Sequence, residues 1–380
     1  SDMWIERLGK TRGSGLTCSV CGETVPGMGG GLKVCPRCIR GRWEEARPIL
    51  EAVHAESRNA FRLPVRPPQN PQGLQCSICL HQCRMGPGET GYCGVRDGSR
   101  QAFRHNGRTR ALVSYYYDPL PTNCVADWVC PGGTGAGYPQ CANDPGPEVG
   151  FYNLAVFFEA CNFNCLFCQN WTFKKAYGSR PNWHQVRDLT QAVNGKTSCI
   201  CYFGGDPTTQ VPYALRMSEE ARREHPRRIL RICWETNGSV HPAWLKRMAR
   251  QSLESGGCVK VDLKAWDSRI HQALCGCDNR RVIENFARLA RWIPHRPNPP
   301  FLIASTLLVP GYVEEDEVRG IASFIAGLDR DIPYTLLAFA PQFRMNDFPT
   351  TSRDHAESCL EAARSAGLRR VRIGNTHLLR

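Results

Sequence analysis

Nowhere in the sequence do about eighteen apolar residues follow one another, which excludes a membrane-spanning helix. The charged start SDMWIERLGK has no apolar segment behind it, so no secretory signal is read there and a cytoplasmic location is expected. Ser1 and Asp2, ahead of Met3, read as a cloning remnant. No repeat of roughly 20–50 residues and no low-complexity tract is present, which excludes solenoid and disordered classes. Segregated charge is missing too. The formal net charge of +13 is spread along the chain, with a basic excess of four before residue 150 and nine after it. Nucleic acid is therefore no better supported than any other anionic partner.

What the sequence has in quantity is cysteine, 21 residues in a chain of 380. A reducing compartment discourages disulfides, so clustered thiols there point to metal ligation or catalysis. Four cluster at 18, 21, 35 and 38, four at 76, 79, 83 and 93, three at 124, 130 and 141, and three at 161, 165 and 168. Cys199, Cys201, Cys233, Cys258 and Cys359 stand alone or within apolar runs and read as small buried hydrophobes.

Composition changes near residue 150. The expected units are a zinc-ribbon-like module over 1–45, a helix and Pro-rich linker over 46–75, a Cys/Gly-rich leader over 76–150, and an α/β unit over 151–380. In the last, apolar runs at 151–158, 199–203, 229–234, 259–263, 301–309, 334–339 and 371–373 read as strands buried on both faces. Helical patterns at 185–193, 208–225, 241–254, 279–293, 314–327 and 352–366 fill the gaps. This alternation predicts a parallel sheet, either open and doubly wound or rolled into a partial or full (β/α) barrel. In both, chemistry gathers where strands end. The sequence places EACNFNCLFCQNW (159–171), GGDP (204–207), ETNG (235–238) and DLK (262–264) after or at the ends of the first four strands.

Three thiolates at Cys161, Cys165 and Cys168 can hold three irons of a [4Fe–4S] cluster and leave the fourth open, the mark of a working site; a zinc knuckle completed by a distant ligand is the alternative. Asp262 and Lys264 lie two apart on a strand and so share a face, as a site pair or an ordinary ion pair. CSVCG (18–22) and CPRC (35–38) together form two knuckles, and Cys18, Cys21, Cys35 and Cys38 are expected to hold zinc, with rubredoxin-like iron sharing the geometry. Cys76, Cys79, Cys83 and Cys93 form a second metal candidate, zinc or an auxiliary cluster, with His81 an alternate ligand. Cys124, Cys130 and Cys141 match no metal template. Tyr115, Tyr116 and Tyr117 read as a packed strand or an aromatic wall. Cys275 is a candidate thiyl or hydrogen donor, against a plain buried thiol.

The spacing of the three thiols, with Phe167 before the last, resembles the signature of the radical S-adenosylmethionine (radical SAM) enzymes. That resemblance implies a partial (β/α)6-type barrel, a [4Fe–4S] cluster, SAM on its open iron, and a 5′-deoxyadenosyl radical that abstracts hydrogen. Gly204, Gly205, Asp206 and Pro207 resemble the element that offers backbone groups to the SAM amino nitrogen. Glu235, Thr236 and Asn237, and VDLKAWD (261–267) with Asp262 and Lys264, resemble stretches of the pyruvate formate-lyase activating enzyme group. The leader CSICLHQCRMGPGETGYCGVRDG (76–98), CQNW (168–171), IHQALCGCDNRRVIENF (270–286) and LLVPGY (307–312) are similar to the radical SAM component of the AmmeMemoRadiSam system and its uncharacterised relatives. Ser305 departs from the activating-enzyme group, which usually carries an Arg there near the SAM carboxylate. The resemblance further implies a reductant such as flavodoxin or ferredoxin and leaves the substrate open, with a protein or peptide among the classes. The alternatives are an activating enzyme for a glycyl radical partner and a non-catalytic zinc module that binds RNA or protein.

Overall fold

The computed structural model describes residues 16–25, 28–178 and 182–380. The N-terminal part contains β1 (Leu16–Thr17), β2 (Thr24–Val25), α1 (Pro36–Gly41) and α2 (Trp43–Asn59), and the leader contains β3 (Leu74–Gln75), β4 (Arg84–Met85) and α3 (Arg100–His105). Then come β5 (Arg110–Pro119), α4 (Pro131–Thr134), β6 (Tyr152–Phe158), β7 (Trp183–Gln185), α5 (Val186–Thr190), β8 (Thr197–Gly204) and α6 (Val211–Glu224). The chain continues with β9 (Arg231–Thr236), α7 (Pro242–Ser255), β10 (Val259–Asp262), α8 (Ser268–Cys275) and α9 (Arg280–Ala290). It closes with β11 (Leu302–Leu308), α10 (Glu315–Leu328), β12 (Tyr334–Ala338), α11 (Arg353–Ser365) and β13 (Val371–Gly374).

Strands β6, β8, β9, β10, β11, β12 and β13 lie side by side in that order, all parallel. Neighbours in sequence are neighbours in the sheet, so the order never reverses as it must in a doubly wound fold. The sheet is wound in one direction, as in a barrel. It stays open: β5 runs antiparallel to β6, β7 pairs with β5, and β7 and β13 form the two ends of the sheet. Both expected features of the α/β unit, the parallel sheet and the partial barrel, are present.

Strand alternation explains the two faces. Leu154, Val156, Ile232, Trp234 and Val261 join one apolar core with Leu215 and Met217 of α6 and Leu245 and Met248 of α7. The intervening positions, Asn153, Cys199, Cys201, Cys233 and Lys260 among them, line a cavity enclosed by the curved sheet. The antiparallel β5 was not expected as a sheet member. It is a strand, but Tyr115, Tyr116 and Tyr117 are 37%, 51% and 41% exposed, so it does not bury both faces as the parallel strands do. Tyr116 lines the interior cavity.

The loop 120–150 closes the end of the barrel where the parallel strands begin. Its anchor is Glu148, fully buried and doubly bonded to Arg231 at 2.7 and 2.6 Å. Ser198 Oγ and Asn143 N also donate to this carboxylate, at 2.6 and 2.7 Å. Burial alone would raise the pKa of Glu148, but Arg231 and these donors hold it below the ordinary carboxylate value. The N-terminal part packs against the outer helices. Tyr312 Oη donates to Val34 O at 2.8 Å and Arg40 pairs with Glu317 at 3.0 Å.

Removing Glu148 strands a buried guanidinium, so Glu148→Ala is expected to cost about 3–5 kcal/mol in urea unfolding. Because the folded pKa is depressed, the pair stabilises fully above the unfolded carboxyl value of about 4.3 and its contribution is lost as pH falls through the lower folded value. Unfolding free energies of wild type and variant should therefore converge on acidification.

Candidate active site

The three-cysteine loop follows β6 directly and is held from two sides. On one side Gly205 N donates to Phe158 O and Asp206 N to Ala160 O, both at 2.8 Å. The approach is so close that a Cβ on Gly205 would fall 2.3 Å from Ala160 O. On the other side lies the C-terminus of α8, whose last carbonyls have no partner within the helix. Asn164 N donates to Cys275 O and Leu166 N to Leu274 O, both at 2.9 Å. Gly276, at φ 78°, turns the chain away in the left-handed conformation that glycine favours, leaving these carbonyls free to accept. His54 of α2 completes the clamp, with Nε2 3.0 Å from Ala273 O and Nδ1 2.9 Å from Asn164 Nδ2. Burial lowers its pKa to about 4.

Cys161, Cys165 and Cys168 line one cavity with Phe167, Gly204 and Gly205. Asp206, Asn237, Asp262 and Lys264 face the same space. Four expected stretches therefore meet at the edge of the sheet where the parallel strands end. Lys264 Nζ is 2.6 Å from Asp262 Oδ2, and the other oxygen of Asp262 accepts from Ser305 Oγ, whose residue stands opposite Asp262 in the register of β10 and β11. Burial works against the Lys264 charge, yet Asp262 and the nearby thiol of Cys165 raise its pKa. Burial pushes the thiol of Cys161 well up and that of Cys168 to about 11. Side-chain contact with Cys275, followed by burial, raises Cys165.

Other expected residues take different places. The Asp206 carboxylate is a knot between loops: it accepts from Thr208 N at 2.8 Å, Thr236 Oγ1 at 3.0 Å and Asn237 N at 2.6 Å. Thr236 thus serves the loop, and Asn237 Nδ2 reaches Asn162 Oδ1 at 2.9 Å beside Cys161. Pro207 is buried at the start of a short helical turn. Glu235 lies in the interior cavity instead, paired at 2.8 Å with Lys260, which is 3% exposed. Lys260 Nζ also stands 3.1 Å from the thiols of Cys124 and Cys201. Cys130 lines this cavity as well. Cys275 is fully buried against Cys165, outside both cavities.

Sequence reasoning missed Lys174. It is 3% exposed, donates to Asn164 Oδ1 at 2.9 Å, lies 4.5 Å from the Phe343 ring and lines the three-thiol cavity. Burial lowers its pKa and the three thiols oppose that shift. Lys174 sits in a short 3-10 helix, Trp171–Gly178, and its partners Asn164 and Phe343 are distant in sequence from one another, so no local signal marks it. Lys260 was hidden within an apolar strand.

The two four-cysteine groups differ in geometry. The Sγ atoms of Cys18, Cys21, Cys35 and Cys38 all lie within 4.8 Å of one another. Burial of Cys18 is outweighed by backbone N–H groups of Cys35, Cys21 and Val20, which lower its pKa to about 6. Cys76, Cys79, Cys83 and Cys93 line a separate enclosed cavity. His81 Nε2 lies 2.7 Å from Asn162 O and its ring 4.2 Å from that of Tyr92.

The three-cysteine loop, the glycine pair and the Asp–Lys pair at the ends of the parallel strands all lie in one stretch of the chain that is similar to a known family. Residues 155–325 match the Radical SAM superfamily. The chain is 23% identical to the uncharacterized protein MJ0808 of Methanocaldococcus jannaschii over 80% of its own length and 81% of that protein. It is 35% identical to the isethionate sulfite-lyase activating enzyme of Desulfovibrio desulfuricans over 36% of this chain and 40% of that enzyme. With the pyruvate formate-lyase 1-activating enzyme of Escherichia coli it shares 27% identity over 47% of this chain and 69% of that enzyme. A solved domain of a pyruvate-formate lyase-activating enzyme from Bacteroides vulgatus aligns with a TM-score of 0.38 at 20% identity, over 46% of this chain and 98% of that one. No helix among the described residues is long and apolar enough to cross a membrane.

Asp206→Ala leaves Thr236 Oγ1 and the amides of Thr208 and Asn237 without their acceptor. Each stranded donor costs about 1–3 kcal/mol, so chemical denaturation should show a loss of at least about 2 kcal/mol.

Proposed function

We propose that the chain is a radical SAM enzyme in which Cys161, Cys165 and Cys168 hold a [4Fe–4S] cluster that supplies the electron to cleave bound S-adenosylmethionine, giving a 5′-deoxyadenosyl radical that abstracts hydrogen from a substrate. The observation that carries this reading is the meeting of three thiols with the Asp262–Lys264 pair in one cavity, within the stretch that matches the Radical SAM superfamily. The peptide groups of Gly204 and Gly205 are offered to the amino end of SAM, and Lys264 and Asp262 to its amino-acid charges. Lys174 sets a buried cation beside the thiolates, which offsets part of the cost of burying negative charge. A one-electron reductant such as flavodoxin or ferredoxin serves as partner.

The interior cavity is the place for the substrate. Lys260 lies two residues before Asp262 on the same strand face, which puts the Lys260–Glu235 pair about 7 Å further into the barrel. A reacting group held there faces the SAM site from within. The activating-enzyme relatives support a second reading, in which the substrate is the glycine of a partner protein. Ser305 weighs against it, because the arginine of that group is replaced by a hydroxyl already engaged with Asp262. Zinc is the occupant assigned to Cys18, Cys21, Cys35 and Cys38. Bonds of about 2.3 Å to one ion set thiolate sulfurs about 3.8 Å apart, which their close grouping accommodates.

Anaerobic reconstitution with iron and sulfide, followed by dithionite and SAM, should yield 5′-deoxyadenosine. Replacing Cys161, Cys165 and Cys168 together by Ala should abolish it. Lys264→Met should weaken SAM binding about tenfold, the loss of one charge-assisted bond of about 1.5 kcal/mol. A colourless protein with zinc and no labile sulfide would overturn the proposal, and a glycyl radical signal raised on a partner would establish the second reading.

A further inference from the structure

The leader cavity forms where the β3–β4 pair and the turn after it fold together over a small apolar cluster of Cys83, Met85 and Tyr92. Cys76 N donates to Cys83 O at 2.8 Å across the β3–β4 pair, and the turn after β4 brings Tyr92 and Cys93 back over it. The thiols of Cys76, Cys79, Cys83 and Cys93 thereby line one small enclosed space. Tyr92 N donates to Cys83 Sγ at 3.5 Å.

Arg96 is an independent sign that the space receives negative charge. It lines the cavity and is 2% exposed, and its Nη1 and Nη2 donate to the carbonyls of Thr209 and Gly107 at 2.8 and 3.4 Å. Its Nε is buried without a hydrogen-bond partner, and it makes no ion pair with a carboxylate among the described residues. No Asp or Glu lines the cavity. A buried guanidinium without countercharge costs several kcal/mol. A metal centre ligated by four cysteines is net negative and would supply the missing charge.

Spacing separates one ion from a cluster. A single tetrahedral ion draws its thiolates to about 3.8 Å from one another. The N-terminal four are grouped that tightly, within 4.8 Å, and among the described residues no three of the leader cysteines are. Cys161, Cys165 and Cys168 share the wider arrangement, again around a single cavity. In a cube each thiolate binds its own iron, so the sulfurs stand farther apart.

We propose that Cys76, Cys79, Cys83 and Cys93 hold a second iron–sulfur cluster of cubane type, with the Arg96 guanidinium as its countercharge. The site is closed, with four protein ligands and no open iron, and so differs in kind from the three-thiol site. It lies beside that site: His81, which lines the leader cavity, is bonded to the carbonyl of Asn162, the residue after Cys161. The proposal does not depend on the radical SAM reading.

The full chain carrying Cys161→Ala, Cys165→Ala and Cys168→Ala, reconstituted anaerobically, tests the two apart. About four irons and four labile sulfides per chain are expected to remain, with an electron paramagnetic resonance signal on reduction by dithionite. Adding Cys79→Ser and Cys93→Ser should remove that iron and leave the N-terminal zinc. If the triple variant does not fold, the wild-type chain decides, with about eight irons expected and about four overturning the proposal. Arg96→Gln should shift the potential of this cluster to more negative values, since a nearby cation favours the reduced state; no shift would overturn the countercharge. Two zinc ions and no labile sulfide in the triple variant would overturn the cluster itself.

Discussion

Two peptide hydrogen bonds, from Asn164 N and Leu166 N to the last carbonyls of α8, set the shape of the three-cysteine loop. A helix terminus must spend its unpaired carbonyls somewhere, and here they are spent on the segment between the first and third thiols. The loop is thereby fixed to an element more than a hundred residues away, while Gly205 and Asp206 fix its other flank to β8. Everything the site does requires three sulfurs to point into one cavity. That direction is imposed by these backbone bonds together with the side chains of Asn162 and Asn164, which His54, Lys174 and Asn237 hold.

The interior of the barrel is arranged in levels along the strands. Glu148 and Arg231 close the end where the strands begin, Lys260 and Glu235 occupy the middle, and Asp262 with Lys264 faces the thiols at the far end. Each level is an ion pair: the first two are tied to the 120–150 loop, through Glu148 itself and the thiol of Cys124, and the third to β11 through Ser305. Buried pairs of this kind contribute little net stability against apolar replacements but fix register, because a misplaced partner leaves a charge alone. The sheet's outward face supplies the apolar burial, and the inward face supplies position.

Much of this arrangement was legible in the sequence. Apolar runs marked the parallel strands because both of their faces are buried, and the four motifs could be placed at strand ends because barrel chemistry gathers there. Of the antiparallel β5 only Tyr115, Tyr116 and Tyr117 were legible as a strand, and its place in the sheet was not, since half of its residues are exposed and tyrosine serves wall and core alike. Helix α8 escaped because only eight residues carry it, between a capping Asp267 and Gly276. Glu235 was read with its motif and grouped with the SAM site, yet strand alternation turns it inward to Lys260, whereas Thr236 and Asn237 turn to the loops. Lys174, Lys260 and Arg96 gain their meaning only from partners brought near by folding.

The thiols of Cys124 and Cys201 sit on Lys260 inside the barrel, and Cys130 and Cys233 share the same space. A sulfur–hydrogen bond is weaker than most carbon–hydrogen bonds, so a carbon radical released above an empty chamber would be quenched by its own walls. On the proposed chemistry the enzyme is vulnerable to idle turnover. An occupant that covers these sulfurs protects the protein as well as offering its own hydrogen, and filling the chamber before SAM is cleaved becomes a condition of survival.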